Sequence, residues 1–127
     1  MIYDHVDLRV CSLAKARPLY DALLPAMGYS RITEDAENIC YYVPGDERNA
    51  PFLALTADAG HHADGSRLAL RAASREDVDR LAKIAQTHAA RAFEPAALQP
   101  EYSPSYYATF FEDADGNKLE ICFRSAP

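Results

Sequence analysis

The sequence has little cysteine, no long apolar run and no excess of positive charge, and each absence removes a class of protein. Cys11, Cys40 and Cys122 are its three cysteines, an odd number without CxxC spacing. That argues against a disulfide framework or a zinc ribbon and for a reduced, cytoplasmic setting. No apolar stretch approaches the roughly 18 residues of a membrane span, so no membrane partner is expected. Lys plus Arg number 13 against 19 Asp plus Glu, a formal charge of −6. Proteins that bind a duplex carry the opposite balance, so nucleic acid is not expected as a partner. The opening Met1-Ile2-Tyr3-Asp4-His5 has neither the charged nor the apolar region of a secretory leader. There is no glycine loop to cradle a phosphate and no GxSxG elbow. What is present, 127 residues of which 49% are hydrophobic, suits one domain with one core.

The residues that are there fall into two similar halves. In Asp4-His5-Val6-Asp7-Leu8-Arg9-Val10 apolar residues alternate with polar ones, the period-two pattern of a half-buried strand. Ser12 then offers an N-cap. Leu13, Ala16, Tyr20, Leu23, Leu24 and Met27 fall on one helical face. Pro18 removes a backbone donor there, which predicts a kink or a helix that begins late. Pro25 and Gly28 mark the end of the helix. Strand-like runs at Tyr29–Thr33, Ile39–Val43 and Pro51–Ala57 follow, broken by 34–38 and by the turn Pro44-Gly45-Asp46.

After the polar stretch 58–66 the opening pattern returns. Arg67-Leu68-Ala69-Leu70-Arg71-Ala72 alternates, Ser74 repeats the cap, and Asp77 completes a loose capping box. Val78, Leu81, Ala82, Ala85 and Ala89 give a second helical stripe. Leu8-Arg9-Val10-Cys11-Ser12 laid over Leu70-Arg71-Ala72-Ala73-Ser74 matches Leu, Arg and Ser, and puts His5 on Arg67. An irregular Pro-rich stretch is expected over Phe93–Ser105. A strand through Tyr106–Phe111, a hairpin turn at 113–117 with Asp-Gly at its tip, and a strand over Lys118–Arg124 close the chain. The expected organisation is one domain, 1–127, made of module one (1–57), a connector (58–66) and module two (67–127). The fold class is α+β: two βαβββ modules forming an open, cupped, mixed sheet with the helices on the outer face. The other face gathers His5, Asp7, Arg9, Arg67, Arg71, Glu120 and Cys122, and function is expected there.

Paired βαβββ modules, the opening Asp-His-Val-Asp-Leu, the helix end Ala26-Met27-Gly28-Tyr29 and the closing Asp-Ala-Asp-Gly-Asn-Lys-Leu-Glu of 113–120 resemble the vicinal oxygen chelate superfamily. That group includes glyoxalase I, bleomycin resistance proteins, fosfomycin-modifying enzymes and extradiol dioxygenases. The resemblance runs over about residues 3 to 124. It implies a homodimer, and a divalent metal (Zn, Ni, Fe or Mn) held by up to four side chains, from the first and last strand of each module. Carried over residue by residue, those positions are His5, Ala54, Arg67 and Glu120. Ala54 is no ligand, and the guanidinium of Arg67 has no lone pair to give. The expectation is therefore a degenerate metal site with no cofactor. His5 and Glu120 are the ligands if a metal is bound.

His5 is read either as a ligand or general base or as a wall residue bonded to a neighbour. Glu120 is read either as a ligand or catalytic base or as the ion-pair partner of Arg67. Arg67, Asp7, Tyr107 and Cys122 are the candidate substrate-binding residues. Cys122 is otherwise a small apolar filler. Tyr102, Tyr106 and Tyr107 form a lid over a small molecule, or else a packed loop or dimer contact. His61, His62 and His88 are expected in solvent. The leading functional expectation is a glyoxalase/bleomycin-resistance-like protein that binds a small polar or anionic molecule. The alternatives are a metal-dependent lyase, isomerase or dioxygenase of the same superfamily, and a non-enzymatic dimeric scaffold.

Overall fold

The computed structural model describes residues 2–45 and 49–125. Asp46, the last residue of the expected Pro44-Gly45-Asp46 turn, lies outside them. The chain forms two compact units, Met1–His61 and His62–Pro127. Each is a four-stranded mixed sheet with one helix.

The first unit comprises β1 (His5–Val10), α1 (Leu13–Ala26), β2 (Arg31–Glu34), β3 (Asn38–Tyr42) and β4 (Phe52–Ala57). The sheet order is β1-β4-β3-β2. Strand β1 runs parallel to β4, with His5 opposite Phe52 and Asp7 opposite Ala54, and the other pairs are antiparallel. Alternation sends Val10, Leu53, Leu55, Ile39 and Tyr41 to the helix side, where they are buried. They meet Ala16, Leu19, Tyr20, Leu23 and Leu24 of α1 in the core. The hydroxyl of Ser12 caps the helix by accepting from the Lys15 N–H at 3.3 Å. The helix begins at Leu13, ahead of Pro18, so a late start is not how the chain accommodates that proline. Pro18 lies on the exposed side, where water can take the bond that its missing N–H leaves open. Gly28, with φ of +94°, reverses the chain after the helix.

The second unit repeats the plan with β5 (Arg67–Arg71), α2 (Arg75–Thr87), β6 (Arg91–Leu98), β7 (Tyr107–Glu112) and β8 (Lys118–Phe123), in the order β5-β8-β7-β6. Here β5 runs parallel to β8. Val78, Leu81, Ala82 and Ala85 of α2 are buried with Phe111, Leu119 and Ile121. The Ser74 hydroxyl accepts from the Asp77 N–H at 3.0 Å, and the Asp77 carboxylate reaches back to the N–H of Ala73 rather than of Ser74. The box is thus one residue wider than its usual form.

Two expectations for this half are corrected. Ala89 is not on the helical stripe: α2 ends at Thr87, and Ala89 is exposed with φ of +71° in the turn that leaves the helix. The stretch from Phe93 is not irregular throughout either, because Arg91–Leu98 is a strand. It lies at the sheet edge and pairs with β7 through two register shifts. An edge strand with bulges tolerates Pro95, whose missing N–H need not enter the ladder. Its burial does not alternate, which hid it from a reading by period.

Candidate functional site

In an antiparallel ladder, residues directly opposite share a face. Phe110 lies opposite Glu120 and Ala108 opposite Cys122. In the parallel pair, Arg67 lies beside Lys118, Ala69 beside Glu120 and Arg71 beside Cys122. All of these therefore point away from α2. Tyr106, one residue before β7, has the same parity and joins Ala108, Phe110 and Cys122 in one apolar cluster.

Glu120 sits in the middle of this face and is only 7% exposed. Its carboxylate Oε2 accepts a hydrogen bond from the Tyr106 hydroxyl. Its other oxygen has no hydrogen-bond partner among the described residues, yet is not sealed from solvent. The phenol of Tyr106 is pushed well above the ordinary tyrosine range. Burial is the main cause, and the Cys122 thiol and the Glu120 carboxylate beside it add to the shift. Tyr106 is therefore the donor of this bond at neutral pH. A hydrogen bond to a charged acceptor in a poorly solvated place is worth about 1.5–3 kcal/mol.

Cations form the rim. The Arg67 guanidinium crosses β8 to lie 5.0 Å from the centroid of the Phe110 ring on β7. That of Arg124 lies 5.4 Å from the centroid of Tyr106. Arg67, Arg71 and Arg124 are exposed and have no acidic partner among the described residues. These three guanidinium groups bring positive charge to a face that also carries the exposed Glu94, opposite Phe110, and the Glu112–Lys118 ion pair. Tyr102 packs against Tyr106 at 5.3 Å between ring centroids and is itself 58% exposed.

Glu120 and Arg67, one of the pairings weighed from the sequence, do not bond to each other. The carboxylate is held by Tyr106 and the guanidinium by Phe110. Tyr107 is on the opposite face: its hydroxyl donates to Asp79 of α2 at 2.5 Å, and Arg75 lies over its ring. The Asp79 bond, with burial second, raises its pKa. The sequence placed all three tyrosines in one cluster. Parity along β7, counted back from the Asp-Gly turn, is the signal that separates Tyr106 from Tyr107.

His5 and Asp7 belong to the corresponding face of the first unit. The His5 ring is half-exposed and stacks on Phe52, with centroids 4.5 Å apart and planes 3° apart. Its Nδ1 is 2.7 Å from Asp4 Oδ1. Phe52 meets Tyr42 and Tyr42 meets the Arg31 guanidinium, so one rung of side chains crosses all four strands. Asp7 accepts from the Thr56 hydroxyl at 2.7 Å, and Thr56 in turn accepts from Asn38 at 2.8 Å. His62 is exposed, as is His88, whose Nδ1 lies 2.8 Å from the Ile84 carbonyl oxygen at the end of α2.

The same order of elements, strand order and pairing senses in both units makes β1 equivalent to β5 and β4 to β8. His5 then corresponds to Arg67 and Ala54 to Glu120. A search of solved structures finds the same architecture. A glyoxalase/bleomycin resistance protein from Albidiferax ferrireducens T118 superposes with a TM-score of 0.80 at 24% identity, covering 98% of this chain and 100% of that one. The chain has the vicinal oxygen chelate fold. Other proteins of this fold include a glyoxalase-related enzyme from Fulvimarina pelagi (TM-score 0.72, 19% identity, 96% of this chain and 87% of that one). A variant of the fosfomycin resistance protein FosX from Listeria monocytogenes, in complex with Mn(II) and 1S,2S-dihydroxypropylphosphonic acid, matches with a TM-score of 0.64 at 14% identity, over 94% of this chain and 86% of that one. No protein-family model and no curated protein sequence matches the chain.

The donor set of this chain does not fit the metal that the fold family implies. Among the described residues, no three or more His, Cys, Asp and Glu side chains are grouped to hold an ion. Ala54 has no donor atom, and Arg67 offers five N–H groups and a fixed positive charge in place of a lone pair. Glu120 is already engaged by a phenol. The segment that most resembles the family, 113–120, is explained by the turn it makes. The buried Asp113 carboxylate accepts from the N–H groups of Asp115 and Asn117 and from the Asn117 side chain, all at 2.8–2.9 Å. Gly116 supplies the required φ of +85°.

Proposed function

We propose that the chain binds a small polar or anionic molecule on the face of the second sheet that points away from α2, without using a metal. The observation that carries this reading is the buried Glu120, hydrogen-bonded by Tyr106 and rimmed by Arg67, Arg71 and Arg124. Uncommitted guanidinium groups around an apolar floor suit an anion with a flat or aliphatic body, because each offers a planar fork of donors. Tyr106 and Phe110 supply that floor, and Cys122 lies beside them as a small packing residue.

Titration of metal-free protein with phenylphosphonate, followed by amide chemical shifts, tests the reading. Saturable shifts at Tyr106, Glu120 and Cys122 are expected, with affinity reduced about tenfold in Arg67→Ala, the loss of one charge-assisted contact. Absence of saturation at these amides refutes it.

One observation favours a second reading, a divalent-metal-dependent lyase, isomerase or dioxygenase: the FosX variant of the same fold is a complex with Mn(II). Elemental analysis that finds one tightly held ion per chain supports that reading over the first. Three free cysteines support a reducing, cytoplasmic setting. A homodimer is the expected assembly for this reading, and light scattering at two protein concentrations checks it.

A further inference from the structure

We propose that the molecule bound on the Glu120 face is a zwitterion: a small amine-bearing carboxylic acid whose ammonium group meets Glu120 and whose carboxylate meets Arg67. This inference rests on the reading of that face as a small-molecule site and names the ligand class.

Glu120 carries the first half of the argument. At 7% exposure its carboxylate is largely removed from water. Its hydrogen bond comes from a neutral phenol, which satisfies one oxygen and supplies no counter-charge. No Lys, Arg or His is within ion-pair distance of it among the described residues. Removing an ionised carboxylate from water is costly unless it is paired. The second oxygen is the open valence, since it is neither bonded within the described chain nor closed off. A ligand hydroxyl would satisfy that oxygen and leave the charge unpaired. An ammonium group does both, with three donors on a compact cation.

The rim carries the second half. Phe110 lies directly opposite Glu120 in the ladder. The guanidinium that covers its ring, 5.0 Å from the centroid, is therefore held one rung position from the carboxylate. Contact with a ring takes up no oxygen acceptor, so N–H groups of the guanidinium remain for an oxyanion. Tyr106 holds Glu120 on its own hydrogen bond, so Arg67 and Glu120 remain separate instead of neutralising each other. Between them lies the apolar ring of Phe110, while Ala108 and Tyr106 extend the apolar floor on the other side of Glu120, toward Arg124. A negative receptor, a short apolar strip and a positive receptor complement a chain of methylenes with an amine at one end and a carboxylate at the other.

The test compares β-alanine and 4-aminobutyrate with their one-headed relatives butyrate and butylamine, by amide chemical-shift titration of the full chain. At least one of the two zwitterions is expected to bind about tenfold or more tightly than either butyrate or butylamine. Glu120→Gln is expected to erase the advantage over butyrate, and Arg67→Ala the advantage over butylamine. The four-probe comparison on the unaltered chain decides the matter by itself if Glu120→Gln does not fold. Butyrate binding as tightly as both zwitterions overturns the proposal; saturable phenylphosphonate binding in the same protein then shows that the small-anion reading survives alone. Failure of phenylphosphonate as well removes both.

Discussion

The Tyr106 phenol donates a hydrogen bond to Glu120 across a separation of fourteen residues, from just before β7 to the middle of β8. The bond engages a buried carboxylate on the face opposite α2, while Arg67 lies over the Phe110 ring instead of pairing with it. Tyr106→Phe should cost about 1–3 kcal/mol, because it deletes the partner of a buried acceptor without removing the acceptor. In the background of Glu120→Leu the same change should cost less than 1 kcal/mol, since nothing is then left unsatisfied. Urea denaturation of the four proteins in the cycle measures the coupling. Equal costs in both backgrounds would show that the bond contributes nothing.

The alkaline limb reports on the same phenol. Tyr41, Tyr106 and Tyr107 are pushed upward from the ordinary tyrosine value near 10. For Tyr41 and Tyr106 burial is the first cause, and for Tyr107 the bond to Asp79. A pKa raised by folding means that the folded state holds the proton more tightly. The associated stability is complete below about pH 10 and is lost as pH rises beyond it toward the folded values. Phenolate absorbance should therefore show Tyr41, Tyr106 and Tyr107 ionising late, with one late phenol fewer in Tyr106→Phe. An unchanged number of late phenols in that variant would contradict the assignment.

At the acid end the cap of α2 is the group to watch. The Arg80 side chain bonds to the Asp77 carboxylate and holds its pKa down, with the Ala73 N–H adding to the effect. A depressed folded pKa gives stability that is present above the unfolded value of about 4 and is lost as pH falls through the folded one. Asp77→Asn should flatten the acid limb of a plot of stability against pH. Ser74→Ala should cost about 1 kcal/mol at neutral pH, the usual loss for a helix N-cap. Thermal melts across the acid range check both, and an unchanged acid limb in Asp77→Asn would count against the cap.

Gly116 isolates backbone strain from packing. Among the described residues a methyl group there would meet Ala63 Cβ and Glu112 Oε1 at 3.7 Å, an ordinary contact, while φ stays at +85°. Gly116→Ala should therefore cost about 1–2 kcal/mol through the left-handed backbone alone. Gly116→Asn should recover part of it, because asparagine visits that region more readily. Chemical denaturation of both variants checks the order. Equal stability of alanine and asparagine at this site would mean that the turn relaxes out of the strained geometry.

The fold was legible because its signals are periodic and repeated. Alternation at His5–Val10 and Arg67–Arg71, a serine cap after each, and a helical stripe after each cap mark two modules in the amino-acid sequence alone. Strand β6 was illegible for a physical reason: a proline and two register shifts at an exposed edge erase the period that marks a strand. The site was legible as a face and not as a network. Parity put Glu120, Cys122, Arg67, Arg71 and Arg124 together. Which neighbour engages Glu120 depends on side-chain competition, and a nearby phenol engaged it where an arginine was the other candidate. Tyr106 and Tyr107 are adjacent and chemically alike, so only the strand's register shows that one serves the site and the other ties the sheet to α2.

The most direct measurement is the affinity of metal-stripped protein for phenylphosphonate, taken side by side for the unaltered chain and Arg67→Ala. The account predicts saturable binding without any divalent ion, weakened about tenfold when the guanidinium is removed. Binding that appears only after Mn(II) or Zn(II) is added, or that is indifferent to the loss of Arg67, would contradict it.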